Sequence, residues 1–309
     1  MTRRPLPAVR LLRAAVLPTA LLLAAGTQMP ALQAEEPQPR RVTHDGKFKE
    51  DLAWSPDGKL LACSHYHQRG RIGIGIIPAD GSGVTILTKD PVERQPSWSP
   101  DGKQLVFVHV TQSGTDGELD IHRMNPQGAD REALIRTKSF DRWPSLTPDG
   151  KTLLFLSNRD KAQELYLADA DGKNVRRLTS EPTQKQFPRW SPDGSRIVFN
   201  ADRDGNFEIY TLSREGSDLK RLTEHPSLDV APAWSPDGKR IAFVTFRDGN
   251  FEVYVMGADG SSPRNVSRHD GYDHSPAWMP DGKTLTWVSD RAGGYDVYAL
   301  ELAGSGASG

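Results

Sequence analysis

The segment "WSPDGKRIAF" at residues 234–243 places Pro-Asp-Gly between two short apolar runs. Proline presets φ at the corner of a tight turn and glycine accepts a positive φ, so the chain is expected to reverse direction here. The run after the turn is rich in β-branched and aromatic residues, which favours a β-strand. The segment therefore predicts two antiparallel strands joined by a tight turn.

The same segment recurs along the chain with a nearly constant spacing. Related segments begin at Trp54, Trp98, Leu146, Trp190, Trp234 and Trp278. The prolines of successive segments lie 44, 48, 44, 44 and 44 residues apart. A period of this length is typical of one propeller blade built from four short strands. Six copies predict six blades.

The rest of each repeat supplies two further strands. The hairpin turn "RDGN" at 203–206 is followed by the strand-like segment "FEIYTL" at 207–212, and Asp-Gly is a favoured hairpin pair. A second glycine turn leads to a short segment that ends in "KRLT" at 220–223. The sixth repeat lacks this last segment, because "YDVYALEL" at 295–302 runs directly into "AGSGASG".

The missing strand is found at the other end of the chain. "RRVT" at 40–43 ends 13 residues before Pro56, and Thr223 has the same offset from Pro236. The sequence therefore predicts an all-β fold, a six-bladed β-propeller over residues 40–302 that is closed by an N-terminal strand in the last blade. Closure removes the exposed edges of an open array. A β-solenoid of the same period is the alternative, and the displaced strand argues against it.

The first 34 residues have the composition of a secretory signal peptide. They contain four arginines and no acidic residue, followed by an apolar run at 14–25 and small residues before Ala34. We expect residues 1–34 to be a signal peptide, 35–39 a short linker and 303–309 a flexible tail. The expected outcome is export from the cytoplasm. Export by the Sec route is favoured over the twin-arginine route, which "TRRPL" at 2–6 resembles, and a retained N-terminal anchor is the alternative.

Composition excludes several classes of function. The 40 acidic and 39 basic residues nearly cancel, so no strong field attracts nucleic acid. Cys63 is the only cysteine, which excludes an intrachain disulfide. We expect a monomer that does not insert into the membrane after signal cleavage. His65, His67 and His109 do not form a metal-ligand pattern, so neither a metal nor another cofactor is predicted.

The repeat, with its "WSPDGK", "RDGN" and "RLT" elements, resembles that of the C-terminal propeller of the TolB family, over residues 40–302. The resemblance implies a periplasmic, non-enzymatic, protein-binding propeller whose partner is an envelope protein or peptide, such as a Pal-like lipoprotein. TolB family members carry an α/β domain before the propeller, whereas only the short linker is expected here. The same repeat also occurs in propellers of serine peptidases and of an oligogalacturonate lyase, so the fold alone does not select the function.

Features that repeat in every blade are interpreted as structural. Thr147 and Met279 replace the serine of Ser-Pro-Asp-Gly in two repeats, and no histidine follows the repeat, so a serine nucleophile is not predicted. The repeat tryptophans are expected to pack between blades rather than to form a stacking surface. The recurring charges are expected to form ion pairs within or between blades: Arg159, Arg203, Arg247 and Arg291, with Glu164, Glu208, Glu252 and Asp296.

Function is expected where the repeat varies, in the loops that precede each Trp strand and open on one rim of the channel. The predicted partner-binding residues are Glu93, Arg94, Asp141, Arg142, Trp143, Phe187, Asp273 and His274. Trp143 and Phe187 are the expected aromatic anchors, and the charged residues are expected to provide complementarity. Catalytic residues are not predicted. The alternatives are a lyase or hydrolase acting in the channel, a small-ligand sensor at the channel mouth, and loops without a binding role.

Overall fold

The computed structural model describes residues 37–68, 71–88, 92–111 and 118–302. Over these ranges the chain forms 24 β-strands and no helix, arranged as six four-stranded antiparallel sheets. Each sheet is one blade, so the all-β six-bladed propeller is confirmed. The predicted signal peptide and C-terminal tail lie outside the described residues.

The strands follow the repeat. Blade 1 contains β2 (Lys49–Trp54), β3 (Leu60–Gln68), β4 (Arg71–Pro78) and β5 (Thr85–Ile86). Blade 2 contains β6 (Glu93–Trp98), β7 (Leu105–Thr111), β8 (Glu118–Met124) and β9 (Glu132–Ile135). Blade 3 contains β10 (Arg142–Leu146), β11 (Thr152–Ser157), β12 (Glu164–Asp169) and β13 (Arg176–Arg177).

The second half of the ring repeats this pattern. Blade 4 contains β14 (Lys185–Trp190), β15 (Arg196–Ala201), β16 (Glu208–Ser213) and β17 (Lys220–Arg221). Blade 5 contains β18 (Asp229–Trp234), β19 (Arg240–Thr245), β20 (Glu252–Gly257) and β21 (Arg264–Asn265). Blade 6 contains β22 (Asp273–Trp278), β23 (Thr284–Ser289), β24 (Asp296–Glu301) and, from the N-terminal end, β1 (Arg40–Arg41).

Strand β1 closes the ring as predicted. It pairs antiparallel with β24, with Arg40 opposite Ala299 and Arg41 opposite Tyr298. The buried carboxylate of Asp296 accepts a hydrogen bond from Thr43 Oγ1 at 2.8 Å. It also forms an ion pair with Arg41 at 2.6 Å. The last blade therefore joins both ends of the described propeller.

The core lies between neighbouring blades. In one cluster, Trp278 and Trp287 of blade 6 pack with Val253 and Val255 of blade 5. Several repeat tryptophans also reach back to the preceding blade, as when the Trp278 indole N–H donates to the carbonyl of Ala233 at 3.2 Å. The predicted packing of these tryptophans between blades is confirmed.

The Ser-Pro-Asp-Gly segment is a turn whose serine is fully used in local hydrogen bonds. Ser235 Oγ donates to the Asp237 carboxylate and accepts from the Arg240 backbone N–H at 2.9 Å. Gly238 has φ of 67°, which the turn requires. No histidine is hydrogen-bonded to Ser235 in the described chain, and its role is structural.

The recurring charges form ion pairs within blades, as expected. In blade 5, Arg247 pairs with the buried Asp229 at 2.8 Å. In blade 4, the buried Glu208 pairs with Arg221 of the fourth strand at 3.2 Å rather than with the repeat arginine. Arg203 is the exception and pairs with Glu181. The difference arises because Lys185 occupies the position that Asp229 holds in blade 5.

Candidate functional site

The first strand of each blade lines the central channel, and each of these strands contains a bulge near its start. One residue at the bulge has a positive φ in every blade. It is the third residue of the innermost strand, or the second in β10: Asp51, Gln95, Trp143, Phe187, Ala231 and Ser275. Proline, which lacks an N–H, follows in five blades, and this suits the unpaired position of a bulge. The sequence pattern predicted loops at these positions. All six are strand residues, because pairing with the second strand continues on both sides of the bulge.

Three of the predicted binding residues are buried in ion pairs. Glu93, Asp141 and Asp273 each stand at or next to the start of an innermost strand, and their side chains are fully buried. Glu93 pairs with Arg131, Asp141 with Arg159 and Asp273 with Arg291. Burial raises the pKa of Asp273 to about 6, although Arg291 partly offsets this effect. Each of these carboxylates stabilises its own blade from within and is not exposed to a partner.

The two predicted aromatic anchors differ in exposure. Trp143 is only 6% exposed, and its backbone N–H donates to Gln95 Oε1 at 3.0 Å. Its ring contacts Phe187 with 4.8 Å between centroids. Phe187 is partly buried and also lines the channel cavity. Trp143 therefore supports the channel wall from the core, whereas Phe187 can contact a ligand.

The residue directly before each positive-φ residue lies at the channel mouth. We define the mouth as the end of the channel where the innermost strands begin. Arg94 and Arg142 occupy this position in adjacent blades and are both half-buried. Burial and the nearby charge of Arg94 lower the pKa of Arg142, whose guanidinium lies 5.5 Å from the Phe140 ring centroid. Arg94 and Arg142 form the cationic sector of the mouth.

The opposite sector is aromatic. A continuous series of ring contacts, with centroids 4.8 to 6.2 Å apart, crosses blades 5, 6 and 1. We call this series the aromatic arc; it consists of Phe246, Phe251, Tyr272, His274, Tyr295, Phe48 and Tyr66. Phe246 is 42% exposed and Tyr272 is 38% exposed, so the arc offers ring surface to solvent. Burial lowers the pKa of His274 to about 3, so this residue is a neutral member of the arc.

Sequence reasoning missed most of the arc, although a signal was present. Phe246 and Phe251 flank the "RDGN" hairpin turn, and Tyr272 and Tyr295 each stand just before a strand. Hairpin turns and innermost strands meet at the same end of an antiparallel blade, so these aromatic residues share one face with His274. Apart from His274, these residues lie outside the segments that the sequence pattern marked as the binding rim.

Glu50 connects the two sectors. Tyr66 in the arc donates its hydroxyl to Glu50 Oε1 at 3.1 Å. Burial raises the pKa of Glu50 to about 7, the neighbouring Asp51 adds to the effect, and Arg94 opposes it. The Glu50 carboxyl therefore holds its proton more tightly than an ordinary glutamate.

A cavity of about 290 Å³ lies in the channel below the mouth. It is lined by residues from blades 1, 2, 4, 5 and 6 and includes all five repeat tryptophans. Arg189, the fifth residue of β14, also lines it. The other blades carry only small residues at this position: Ala53, Ser97, Ser145, Ala233 and Ala277. This break in the repeat is visible in the sequence.

The described residues contain no group of three or more His, Cys, Asp or Glu side chains that could hold a metal ion. His109, one of the histidines tested in the sequence, binds Glu93 at 3.1 Å. Cys63 is buried, and burial raises the pKa of its thiol to about 12, so it is not an activated nucleophile. Nor is there a helix in the described ranges that could cross a membrane.

Comparisons with known proteins agree with this architecture. The family model of the TolB beta propeller domain matches residues 114–229 and 222–308. A protein assigned as TolB in Agrobacterium tumefaciens has a similar structure, with a TM-score of 0.66 and 22% identity over 86% of this chain and 94% of its own. No curated protein matches by sequence.

Two further solved structures have a similar fold. TolB from Acinetobacter baumannii gives a TM-score of 0.62 and 23% identity over 81% of this chain, which spans 62% of that protein. An oligogalacturonate lyase in complex with manganese has a TM-score of 0.61 and 19% sequence identity over 85% of this chain and 79% of its own. At these identities the likeness concerns the fold and leaves open the choice between a binding protein and an enzyme.

Proposed function

Because the chain belongs to the TolB β-propeller family, we propose that it is a non-enzymatic binding module that captures a protein or peptide of the cell envelope. Capture occurs at the channel mouth, and the periplasmic location follows from the N-terminal signal expected from the sequence. A Pal-like lipoprotein is one partner of this class. The observation that carries the proposal is the division of the mouth into an aromatic arc and a cationic sector.

The arc supplies the apolar contact. Phe246 and Tyr272 expose large ring surfaces, and the rings behind them are fixed by mutual contact. Exposed aromatic residues that are already ordered lose little entropy on binding and are frequent energetic centres of interfaces. This part of the mouth suits aliphatic, aromatic or proline side chains of a partner.

The cationic sector supplies charge selectivity. Arg94 and Arg142 lie close enough that Arg94 lowers the pKa of Arg142, so each gains from an incoming anion. Their Nε atoms are buried and have no hydrogen-bond partner in the described chain. The partner segment is therefore acidic on the side that meets blades 2 and 3.

Capture from an envelope extract tests the proposal. The F246A/Y272A variant is expected to lose the partner that the wild type retains, and R94Q/R142Q is expected to weaken capture most at low salt. The matched control is V175A/L219A, which removes side chains that are 38% and 40% exposed and lie outside the mouth. Equal capture by all four proteins would refute the assignment. Trp143→Ala is unsuitable because it would damage the core.

A second candidate is an enzyme acting on a polysaccharide at the mouth, and Glu50 favours it. A carboxyl group at the channel mouth with a pKa raised to about 7 has the property of a general acid or base. A screen of polysaccharides with the wild type and E50Q separates the two functions. Turnover that is lost in E50Q would support the enzyme, and no turnover with intact partner capture would support the binding module.

A further inference from the structure

Arg189 is unusual among the side chains that line the channel cavity. It is half-buried, and its guanidinium forms no hydrogen bond or ion pair with any described residue. The other innermost strands of the described propeller have alanine or serine at its position. Charged groups that are removed from water normally have partners, because desolvation without one is costly. A half-buried guanidinium without a partner is available to bind an anionic ligand.

Asp51 lies in the same cavity but does not neutralise Arg189. The two side chains are too far apart for an ion pair; burial raises the pKa of the Asp51 carboxyl, and the positive charge of Arg189 offsets this rise only in part. The Asp51 carboxylate is instead held by Ser64 Oγ at 2.7 Å. The guanidinium fork of Arg189 therefore remains open to an anion from outside.

We propose that the channel cavity binds a single carboxylate group, held by Arg189. This inference rests on the proposed function, since the carboxylate belongs to the ligand received at the mouth. A planar guanidinium matches a carboxylate through two parallel hydrogen bonds. Ser97 lies at the equivalent position of blade 2, and its hydroxyl has no hydrogen bond with a described residue, so it can donate a further one.

The cavity restricts what can carry this carboxylate. A volume of about 290 Å³ is at the lower end of the range for ligand sites, so it admits a small acid or the last residues of a chain. Arg189 is the single cation among the described residues that line the cavity, so one carboxylate satisfies it and a dianion would bring a second, unpaired negative charge. The shared chemistry is one carboxylate on a narrow group, which a free sugar acid or a peptide C-terminus can provide.

Titration calorimetry with four probes tests the inference and separates these sources. The probes are acetyl-dialanine, acetyl-dialanine amide, glucuronate and glucose, each used at millimolar concentration. At least one acid is expected to bind the wild type about tenfold or more tightly than its neutral counterpart. The acid that binds identifies the source, and quenching of the tryptophan fluorescence places it in the cavity.

Variants of the cavity identify the binding group. R189Q is expected to weaken binding of the acid about tenfold or more, to the affinity of its neutral counterpart. R189K is expected to have an intermediate affinity. A233D places a competing carboxylate at the equivalent position of blade 5 and is expected to abolish binding of the acid. This second variant keeps the test decisive if R189Q does not fold. The inference is overturned if the wild type binds neither acid, or if a folded R189Q or A233D binds as well as the wild type.

The two proposals can fail separately. The F246A/Y272A variant changes the mouth and leaves the cavity intact, so it is expected to bind the acid probe as the wild type does. Lost partner capture with retained acid binding supports both proposals. Normal capture by F246A/Y272A refutes the mouth assignment alone, and failure of the acid probes refutes the role of Arg189 alone.

Discussion

Replacing Asp296 by alanine tests how the propeller is closed. The Asp296 carboxylate is fully buried and accepts bonds from Thr43 Oγ1 at 2.8 Å, from Arg41 at 2.6 Å and from the Gly46 N–H at 3.3 Å. The replacement removes these three contacts at the junction of the N-terminal strand with the last blade. The expected result is a less stable protein whose β1 opens more often.

The magnitude follows from the surroundings of each contact. Thr43 is buried, and a hydrogen bond from a buried hydroxyl to a charged group contributes about 1.5–3 kcal/mol to the free energy of unfolding. The Arg41 side chain is 32% exposed, so its ion pair adds no more than about 1 kcal/mol. The long contact with Gly46 adds little. Asp296→Ala is therefore expected to cost about 2–4 kcal/mol, a decrease of roughly 4 to 7 °C in Tm for a propeller of this length.

Urea unfolding measures the loss, and limited trypsin digestion measures the opening of β1. Glu208→Ala is the matched control, since this buried carboxylate binds Arg221 at 3.2 Å and the His225 N–H at 2.8 Å inside blade 4. Both variants are expected to lose similar stability, but only Asp296→Ala should accelerate cleavage after Arg40 and Arg41. An unchanged Tm for Asp296→Ala, or equal cleavage in both variants, would refute this explanation of closure.

Two further predictions concern Ser235 and Glu50. Ser235→Ala removes the acceptor for the Arg240 N–H, so the free energy of unfolding measured in urea should fall by about 1–2 kcal/mol while partner capture is unchanged; loss of capture at full stability would contradict the structural role. The pKa of Glu50 is raised from 4.5 to about 7, so the folded state binds the proton more tightly and stability declines as pH rises through this interval. Glu50→Gln is expected to flatten the decline and to gain on the order of 1–2 kcal/mol above pH 7 relative to wild type; parallel pH profiles of Tm for the two proteins would contradict the assignment.

The propeller could be predicted from the sequence because its signals are local and repeated. The Pro-Asp-Gly turn and the apolar run after it fix one hairpin, and repetition fixes the blade count. The offset of 13 residues from Thr43 to Pro56 identified the closing strand, which pairs with β24 as expected. These inferences depend on spacing along the chain and not on where individual side chains point.

The binding site was harder to predict because it depends on how the blades meet. The charges of Glu93, Asp141 and Asp273 look like surface charges in the sequence, but their arginine partners allow them to be buried. The positive φ of Trp143 has no sequence signal, because such a backbone is uncommon for residues other than glycine. The bulge places this ring in the core.

The aromatic arc and Arg189 illustrate two different reasons for a missed residue. Members of the arc such as Phe48 and Tyr295 are far apart in the chain and meet only because the ring closes between blades 6 and 1. Arg189 needed no tertiary information, since it is the one charged residue among small ones at the fifth position. Comparing all positions of the innermost strand across the repeats would have identified it.

Hydrogen exchange of the protein with and without its captured partner tests the central claim most directly. Binding at the mouth predicts slower exchange at residues 49–51, 93–95, 246–251 and 272–275. The Pro-Asp-Gly turns lie at the opposite end of the innermost strands, so exchange at 236–239 should not change. Protection confined to those turns or to the outer strands would contradict the claim that the partner binds at the channel mouth.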